Sequence, residues 1–204
     1  MSVDWKNVSY VLGQQIGGDF KEQSIEVDVE SFCNSFKAAF AGEPSTLSNE
    51  DMQQTMQSFQ THMQAIHSEK MGKAAEQNLA EGTAFLADHS KQDGVTTLDS
   101  GLQYKVINDG SGKSPAATDT VETHYEGRLI DGSVFDSSYQ RGETVSFPVN
   151  GVIPGWTEAL QLMTEGAKWQ LAIPAALAYG EAGSPPVIPP NATLVFDVEL
   201  VAVK

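Results

Sequence analysis

The chain has 204 residues, 40% of them hydrophobic and 19% charged, enough apolar material for a core and too much for a disordered chain. Lys and Arg number 12 against 27 Asp and Glu, a formal net charge of −15, which repels phosphate backbones and anionic bilayers and argues against nucleic acid and membrane surfaces as partners. A lone cysteine, Cys33, rules out an internal disulfide and a cysteine-based metal cluster. No apolar run approaches the roughly 20 residues of a membrane span. The opening MSVDWKNVSY has neither the basic start nor the apolar stretch of a secretion signal. A reduced, cytoplasmic protein is the expectation.

The front of the chain reads as three helices. The first is predicted from about Trp5 to Gly18, with Val8, Leu12 and Ile16 on one face. The second starts at Asp28, a good N-cap. It carries the stripe Val29, Phe32, Phe36 and Phe40 and ends near Gly42, a plausible C′ glycine. Ser48 and Asp51 form a capping-box start for the third. No proline or stop cluster follows until His89-Ser90, so this helix would hold roughly forty residues and extend about 60 Å. Met52, Met56, Phe59, Met63 and Ile66 repeat at heptad spacing. Beyond Met71 the seam fades into Lys73, Glu76, Gln77 and Glu81. The first half of the helix is therefore expected to pack, and the second half to stand largely in water.

Three helices make a thin core, and Met-rich stripes suit adaptable contacts. Val8, Leu12, Ile16, Phe32, Phe36, Met52, Met56, Phe59 and Met63 are accordingly expected to form a subunit interface, with a two-fold dimer as the commonest arrangement. The competing reading is an ordinary three-helix core. Cys33 beside Phe32 reads as buried filler.

Texture changes near Asp93-Gly94, which is taken as the boundary between a helical domain (1–93) and a sheet domain (94–204). Gly101 to Ile107 alternates before the turn Asn108-Asp109-Gly110. Val121, Thr123, Tyr125 and Leu129 share one strand face; Glu122, His124, Glu126 and Arg128 share the other. Asp131-Gly132 marks a hairpin. Val145 and Phe147 form a short strand, Trp156 to Met163 a short helix, and Trp169 to Ile173 another strand. Leu194, Phe196, Val198 and Leu200 are the inward row of a last strand. Antiparallel strands around one helix make an α+β domain.

This half contains no phosphate-cradling Gly-Lys loop and no Gly-x-Ser-x-Gly. His62 and His67 are five apart, on different helix faces, which does not suit a metal pair. His124 reads as an outward-facing strand residue. What remains is a surplus of apolar groups in turns and at strand ends: Tyr125, Phe135, Val152, Ile153, Trp156, Tyr179, Val187, Ile188 and Phe196. With Asp136, Arg141 and the two tyrosine hydroxyls they describe an apolar cleft with a few polar groups, the usual form of a small-ligand site.

Several segments here resemble the FKBP-type peptidyl-prolyl cis-trans isomerases. They are His124-Tyr125-Glu126-Gly127, Asp131 to Ser138, Val152-Ile153-Pro154-Gly155-Trp156, Ala178-Tyr179-Gly180 and Ile188 to Leu200. The front, from Ser9-Tyr10-Val11-Leu12-Gly13 through Ile16-Gly17 to the long helix, is similar to the N-terminal region of two-domain bacterial members. That subfamily includes the macrophage infectivity potentiator type, whose members are V-shaped homodimers. The resemblance implies a helical dimerisation domain with a long linker helix. It also implies an antiparallel half-barrel sheet wrapped on a short helix, and an isomerase that needs no cofactor or metal. Partners would be unfolded or proline-containing polypeptides, a second copy, and macrolides of the tacrolimus or rapamycin type.

By the same resemblance Trp156 would floor the pocket, and Tyr125, Phe135, Val152, Ile153 and Phe196 would wall it. The Ile153 N–H and Tyr179 hydroxyl would donate to substrate carbonyls. Asp136 would sit at the rim, held by Arg141 and Tyr125. Residues 180–190, including Val187 and Ile188, would form a flap. Val145 stands where tight drug binders carry an aromatic wall, and Val187 replaces a larger aliphatic residue, which implies a slightly more open pocket. A second reading keeps the fold but makes it a proline-segment-binding chaperone with little turnover.

Overall fold

A computed structural model describes residues 3–204. The chain forms two compact units, one ending at His62 and the other spanning Met63–Lys204.

The first unit is helical. Helix α1 (Trp5–Glu22) is capped by Asp4, whose carboxylate accepts from the Lys6 and Asn7 N–H groups at 3.1 and 3.2 Å. It runs past the expected end at Gly18. Gly13, Gly17 and Gly18 are merely poor helix formers, and the helix closes through Gln23 N–H to Asp19 C=O at 3.0 Å. Helix α2 (Val29–Phe40) starts as expected on Asp28, which accepts from Ser31 N–H at 2.7 Å. It ends at Gly42, whose φ of +76° suits the left-handed C′ position. The Phe20 and Phe32 rings meet edge to face at 5.8 Å, and Phe36 stacks on Phe40 at 6.1 Å. No residue of α1 or α2 is buried. Cys33 is exposed, which corrects its reading as buried filler: within one chain this unit has no interior in which to bury it.

Helix α3 (Asn49–His89) has 41 residues. Its capping box forms as expected, with Asp51 N–H donating to Ser48 Oγ at 3.1 Å and Ser48 Oγ–H to Asp51 at 2.7 Å. The division between the units falls inside this helix, whereas the change of secondary structure comes between His89 and Val95. The expectation that its second half stands largely in water holds for most of its residues, but one face packs. Gly82 and His89 are its buried residues, and residues from Met63 onward belong to the sheet unit. Gly82 and the half-buried Ala74, Ala75 and Asn78 share this packing with Phe85, Leu86 and His89. Gly82 lies against Thr193 so closely that a Cβ would collide with its side chain. At the helix end His89 Nδ1 lies 2.8 Å from Gln103 Oε1, and Gln103 Nε2 donates to Leu86 C=O at 2.9 Å.

The second unit is built on an antiparallel sheet. Its strands are β1 (Val95–Thr97), β2 (Gln103–Asn108), β3 (Thr120–Leu129), β4 (Val134–Ser137), β5 (Val145–Pro148), β6 (Lys168–Ile173) and β7 (Leu194–Val203). Their order is β1-β2-β6-β7-β3-β4, with β5 also on β3. β3 alternates as its sequence does: Val121, Thr123 and Tyr125 are buried, and Glu122, His124 and Glu126 are half-exposed. Two helices lie off the sheet, α4 (Ser138–Arg141), unanticipated, and α5 (Pro154–Leu162). Proline at the first position of α5 needs no N–H there, which suits a helix start. Trp156, Ala159, Leu160 and Met163 bury α5 in a core with Leu171, Ile173, Val198 and Leu200.

Candidate functional site

Strand β3 positions the site. Along one edge it pairs with β5 through Thr120–Thr123 and with β4 through Glu126–Arg128. Between these two partners the chain leaves the sheet as α4, opposite Tyr125. Ser137 caps α4, accepting from Gln140 N–H at 3.3 Å. Ser138, fully buried, stitches it to the strand. Its hydroxyl accepts from Tyr125 N–H at 2.7 Å and donates to Tyr125 C=O at 3.1 Å, replacing the ladder bonds that the excursion removes. The interruption thus delivers Asp136, from β4, and Arg141, from the end of α4, to the Tyr125 ring.

These three side chains form a closed set. The Tyr125 hydroxyl donates to Asp136 Oδ2 at 2.6 Å, Arg141 Nη1 pairs with Asp136 Oδ1, and Arg141 Nη2 donates to the Tyr125 hydroxyl at 3.0 Å. The guanidinium carbon also lies 5.7 Å from the Tyr125 ring centroid. Burial alone would push the Asp136 carboxyl up. The hydrogen bonds from Tyr125 and Arg141, with the guanidinium charge, outweigh it and hold the pKa below the ordinary aspartate value. Burial raises the Tyr125 phenol, and the bond to Asp136 raises it further against the opposing effect of Arg141. At neutral pH the phenol therefore keeps its proton and donates it.

Inside this rim lies an aromatic cluster. Trp156, in the first turn of α5, is only 4% exposed. It meets Tyr125 at 5.3 Å, Phe147 at 5.9 Å and Phe196 at 5.3 Å, each nearly perpendicular, the favoured edge-to-face geometry. Its indole Nε1 is buried with no partner among the described residues. Phe135 stands edge-on to Phe196 at 5.5 Å. Val145, Val152 and Ile153 are half-buried against the hydrophobic core to which Tyr125, Trp156 and Phe196 belong.

Tyr125, Phe135, Asp136, Arg141, Trp156 and Phe196 are thus brought together, with Val145, Val152 and Ile153 beside them. The loop residues differ. Ile188 is 5% exposed and joins the core, whereas Tyr179 and Val187 are 41% and 52% exposed and belong to no aromatic pair of the described residues. Two residues escaped the sequence reading. Phe147, taken only as a strand residue, closes the aromatic cluster beside Val145. Gly127 has no side chain for a reason: a Cβ there would lie 2.6 Å from the Phe135 and Phe196 rings. A glycine inside a strand is the signal of such a close approach.

Comparisons with known proteins agree with this geometry. A family model described as "FKBP-type peptidyl-prolyl cis-trans isomerase" matches residues 111–201. Another, "Domain amino terminal to FKBP-type peptidyl-prolyl isomerase", matches residues 5–106. The "Outer membrane protein MIP" of Legionella longbeachae is 41% identical over 204 residues, 100% of this chain and 88% of that protein. The "FKBP-type 22 kDa peptidyl-prolyl cis-trans isomerase" of Escherichia coli K12 is 43% identical over 196 residues, 96% of this chain and 93% of that one. The crystal structure of FkpA from Escherichia coli aligns with a TM-score of 0.81 at 43% identity, covering 100% of this chain and 98% of that chain. One of these names refers to an outer membrane, so the cytoplasmic expectation draws no support from the relatives. With both family models matched in order, full-length identity above 40%, and the aromatic floor and polar rim in place, the chain belongs to the FKBP-type peptidyl-prolyl cis-trans isomerase family.

Proposed function

We propose that Tyr125, Phe135, Asp136, Trp156, Tyr179 and Phe196 form the catalytic pocket of this isomerase. Arg141, Val145, Val152, Ile153, Val187 and Ile188 complete the binding surface. The observation that carries this is the juxtaposition of a buried Trp156 floor with the hydrogen-bonded Tyr125–Asp136–Arg141 rim.

The reaction is rotation about an X–Pro amide, whose uncatalysed barrier is about 18–20 kcal/mol. No bond to carbon forms or breaks. Resonance gives the planar amide a polar carbonyl oxygen, and the twisted transition state has lost that polarity. A dry apolar pocket therefore stabilises the twisted form over the planar one, which is differential binding. The proline ring rests on Trp156. The Ile153 N–H makes no hydrogen bond among the described residues, which leaves it to meet a substrate carbonyl, and the exposed Tyr179 hydroxyl meets another. The same surface supports binding of macrolides of the tacrolimus type, with Phe147 supplying an aromatic wall next to Val145.

Helices α1 and α2 and the first part of α3 are proposed to join two copies through Val8, Leu12, Ile16, Phe32, Phe36, Met52, Met56, Phe59 and Met63, and the dimer to recruit unfolded chains. The apolar side chains left uncovered on α1 and α2 support this, because exposed apolar patches of that extent mark interaction surfaces.

The test compares the full chain with a fragment covering Met63–Lys204, on a proline tetrapeptide and on a protein whose refolding waits on a proline. The fragment is expected to match the full chain on the peptide and to lose most of its effect on the protein. Asp136→Ala is expected to lower kcat/KM about ten-fold, the scale of a charge-assisted hydrogen bond, with little loss of stability. Failure of the full chain on the peptide overturns the isomerase pocket and leaves a binding module. Equal performance of fragment and full chain on the protein overturns recruitment.

A further inference from the structure

The loop from Gly180 to Thr193 runs from the base of the pocket, immediately after Tyr179, to the start of β7. It is closed on itself by two sets of backbone bonds. Asn191 N–H donates to Gly180 C=O at 2.9 Å, and Ser184 and Ile188 exchange N–H···O=C bonds at 2.8 and 2.9 Å. Ile188 anchors the loop in the core.

A third attachment comes from outside the sheet. Asn78 Nδ2, on α3, donates to Pro190 C=O at 2.8 Å, and Asn191 Nδ2 donates back to Ala75 C=O at 3.4 Å. Ala75, Asn78 and Gly82 recur at spacings of three and four, so they share one face of the helix. Gly82 on that face admits Thr193, which is buried. Asn191 has a φ of +54°, a conformation that asparagine tolerates better than most residues. Its backbone closes the loop and its side chain reaches the helix.

We infer that Asn78 and Asn191 are positioning residues for the isomerase reaction: α3 holds the base of the 180–193 loop, and with it Tyr179, in the geometry that substrate meets. This rests on the pocket assigned above. The last turns of α3 are then part of the catalytic unit rather than a spacer. Release of the clamp leaves the Tyr125–Asp136–Arg141 set and Trp156 in place, since among the described residues none of their side-chain hydrogen bonds involves α3. A freed loop must be ordered when substrate binds, and that cost falls on binding. The signature is a raised KM with kcat retained. Mere destabilisation gives the opposite, because a smaller folded fraction lowers apparent kcat and leaves KM alone.

The experiment measures KM and kcat for a proline tetrapeptide with the full-length protein. The variants are Asn78→Ala, Asn191→Gly (which keeps the left-handed backbone free of strain) and their combination. Lys73→Ala is the control, since among the described residues Lys73 pairs with Glu69 alone, on the exposed face. Each clamp variant is expected to raise KM about five-fold, the scale of one lost hydrogen bond. The pair is expected to fall short of the product of the two, and the control to match wild type. Unchanged KM in both clamp variants overturns the inference, as does a fall in kcat alone that tracks the folded fraction. Absence of turnover in the wild-type protein overturns instead the pocket on which it rests.

Discussion

The two units use apolar side chains in opposite ways. In the Met63–Lys204 unit, strand rows and α5 converge on one interior, and Trp156 there is almost wholly enclosed. In the helical unit the stripes on α1 and α2 are as regular in sequence, yet neither helix buries a residue and Phe40 is 86% exposed. An amphipathic stripe says that a face is built to be covered. It does not say by what. In the sheet unit the cover is the rest of the same chain. In the helical unit it is proposed to be a second copy.

Truncating the same class of residue in each unit tests this contrast. Trp156→Ala removes the floor of the proposed pocket and leaves a cavity among Tyr125, Phe147 and Phe196. It is expected to destabilise the sheet unit by about 3–5 kcal/mol, measured by urea unfolding followed by far-ultraviolet circular dichroism, and to abolish peptide turnover. A cost near zero would mean that the cluster is loosely packed. Gly127→Ala is expected to cost about 1–3 kcal/mol through overpacking against Phe135 and Phe196, with a raised KM as the wall shifts.

A pH profile probes the rim with a smaller effect. The Asp136 pKa lies below the ordinary 3.8, so the carboxylate's contribution is complete above that value and is lost as pH falls through the lower folded-state pKa. The Tyr125 pKa lies above the ordinary 10.0, so the contribution of the protonated phenol is complete below that value and is lost as pH rises through the raised one. Because Asp136 and Arg141 are partly exposed, solvent screens the pair and the loss of stability is shallow. Peptide turnover is expected to be flat between these limits. A midpoint near neutrality would place another group in the reaction.

The smallest effect on the sheet unit is expected from Phe36→Ser with Phe40→Ser. These exposed residues should change its unfolding by less than about 0.5 kcal/mol and leave peptide turnover unchanged. Sedimentation should nevertheless show weakened self-association. Intact association would move the interface to another face.

Most of the sheet was legible because alternation in β3 and β7 has period two and the turns at Asp131-Gly132 and Asn108-Asp109-Gly110 punctuate it. Helix α4 was not: four residues carry no periodicity, and the excursion exists only because β3 exchanges one edge partner for another. Tyr125, Phe135, Asp136, Arg141, Trp156 and Phe196, which the structure brings together, were legible as apolar and charged residues in excess at turns and strand ends, whereas Tyr179 and Val187 stay exposed. Phe147 and Gly127 were not legible, since one looked like ordinary strand filler and the other matters through an atom it lacks. One face of the outer half of α3 is hidden in the sequence for a related reason. Its contacts use Asn78, Gly82 and the Ala75 carbonyl, and a reading weighted toward large apolar side chains assigns such a face to water.

By itself the sequence determined the helical and sheet halves, the caps at Asp28 and Ser48, and the face each strand residue takes. These follow from local backbone preference and from periodicity, which act over a few neighbouring residues. Only the tertiary structure decided that Asp136 and Arg141 close on Tyr125, that Phe147 packs against Tyr125 and Trp156, and that α3 grips the loop at Pro190 and Asn191. Each of those depends on register and close approach between segments far apart in the chain, where a missing Cβ or one amide sets the distance and leaves no pattern along the sequence.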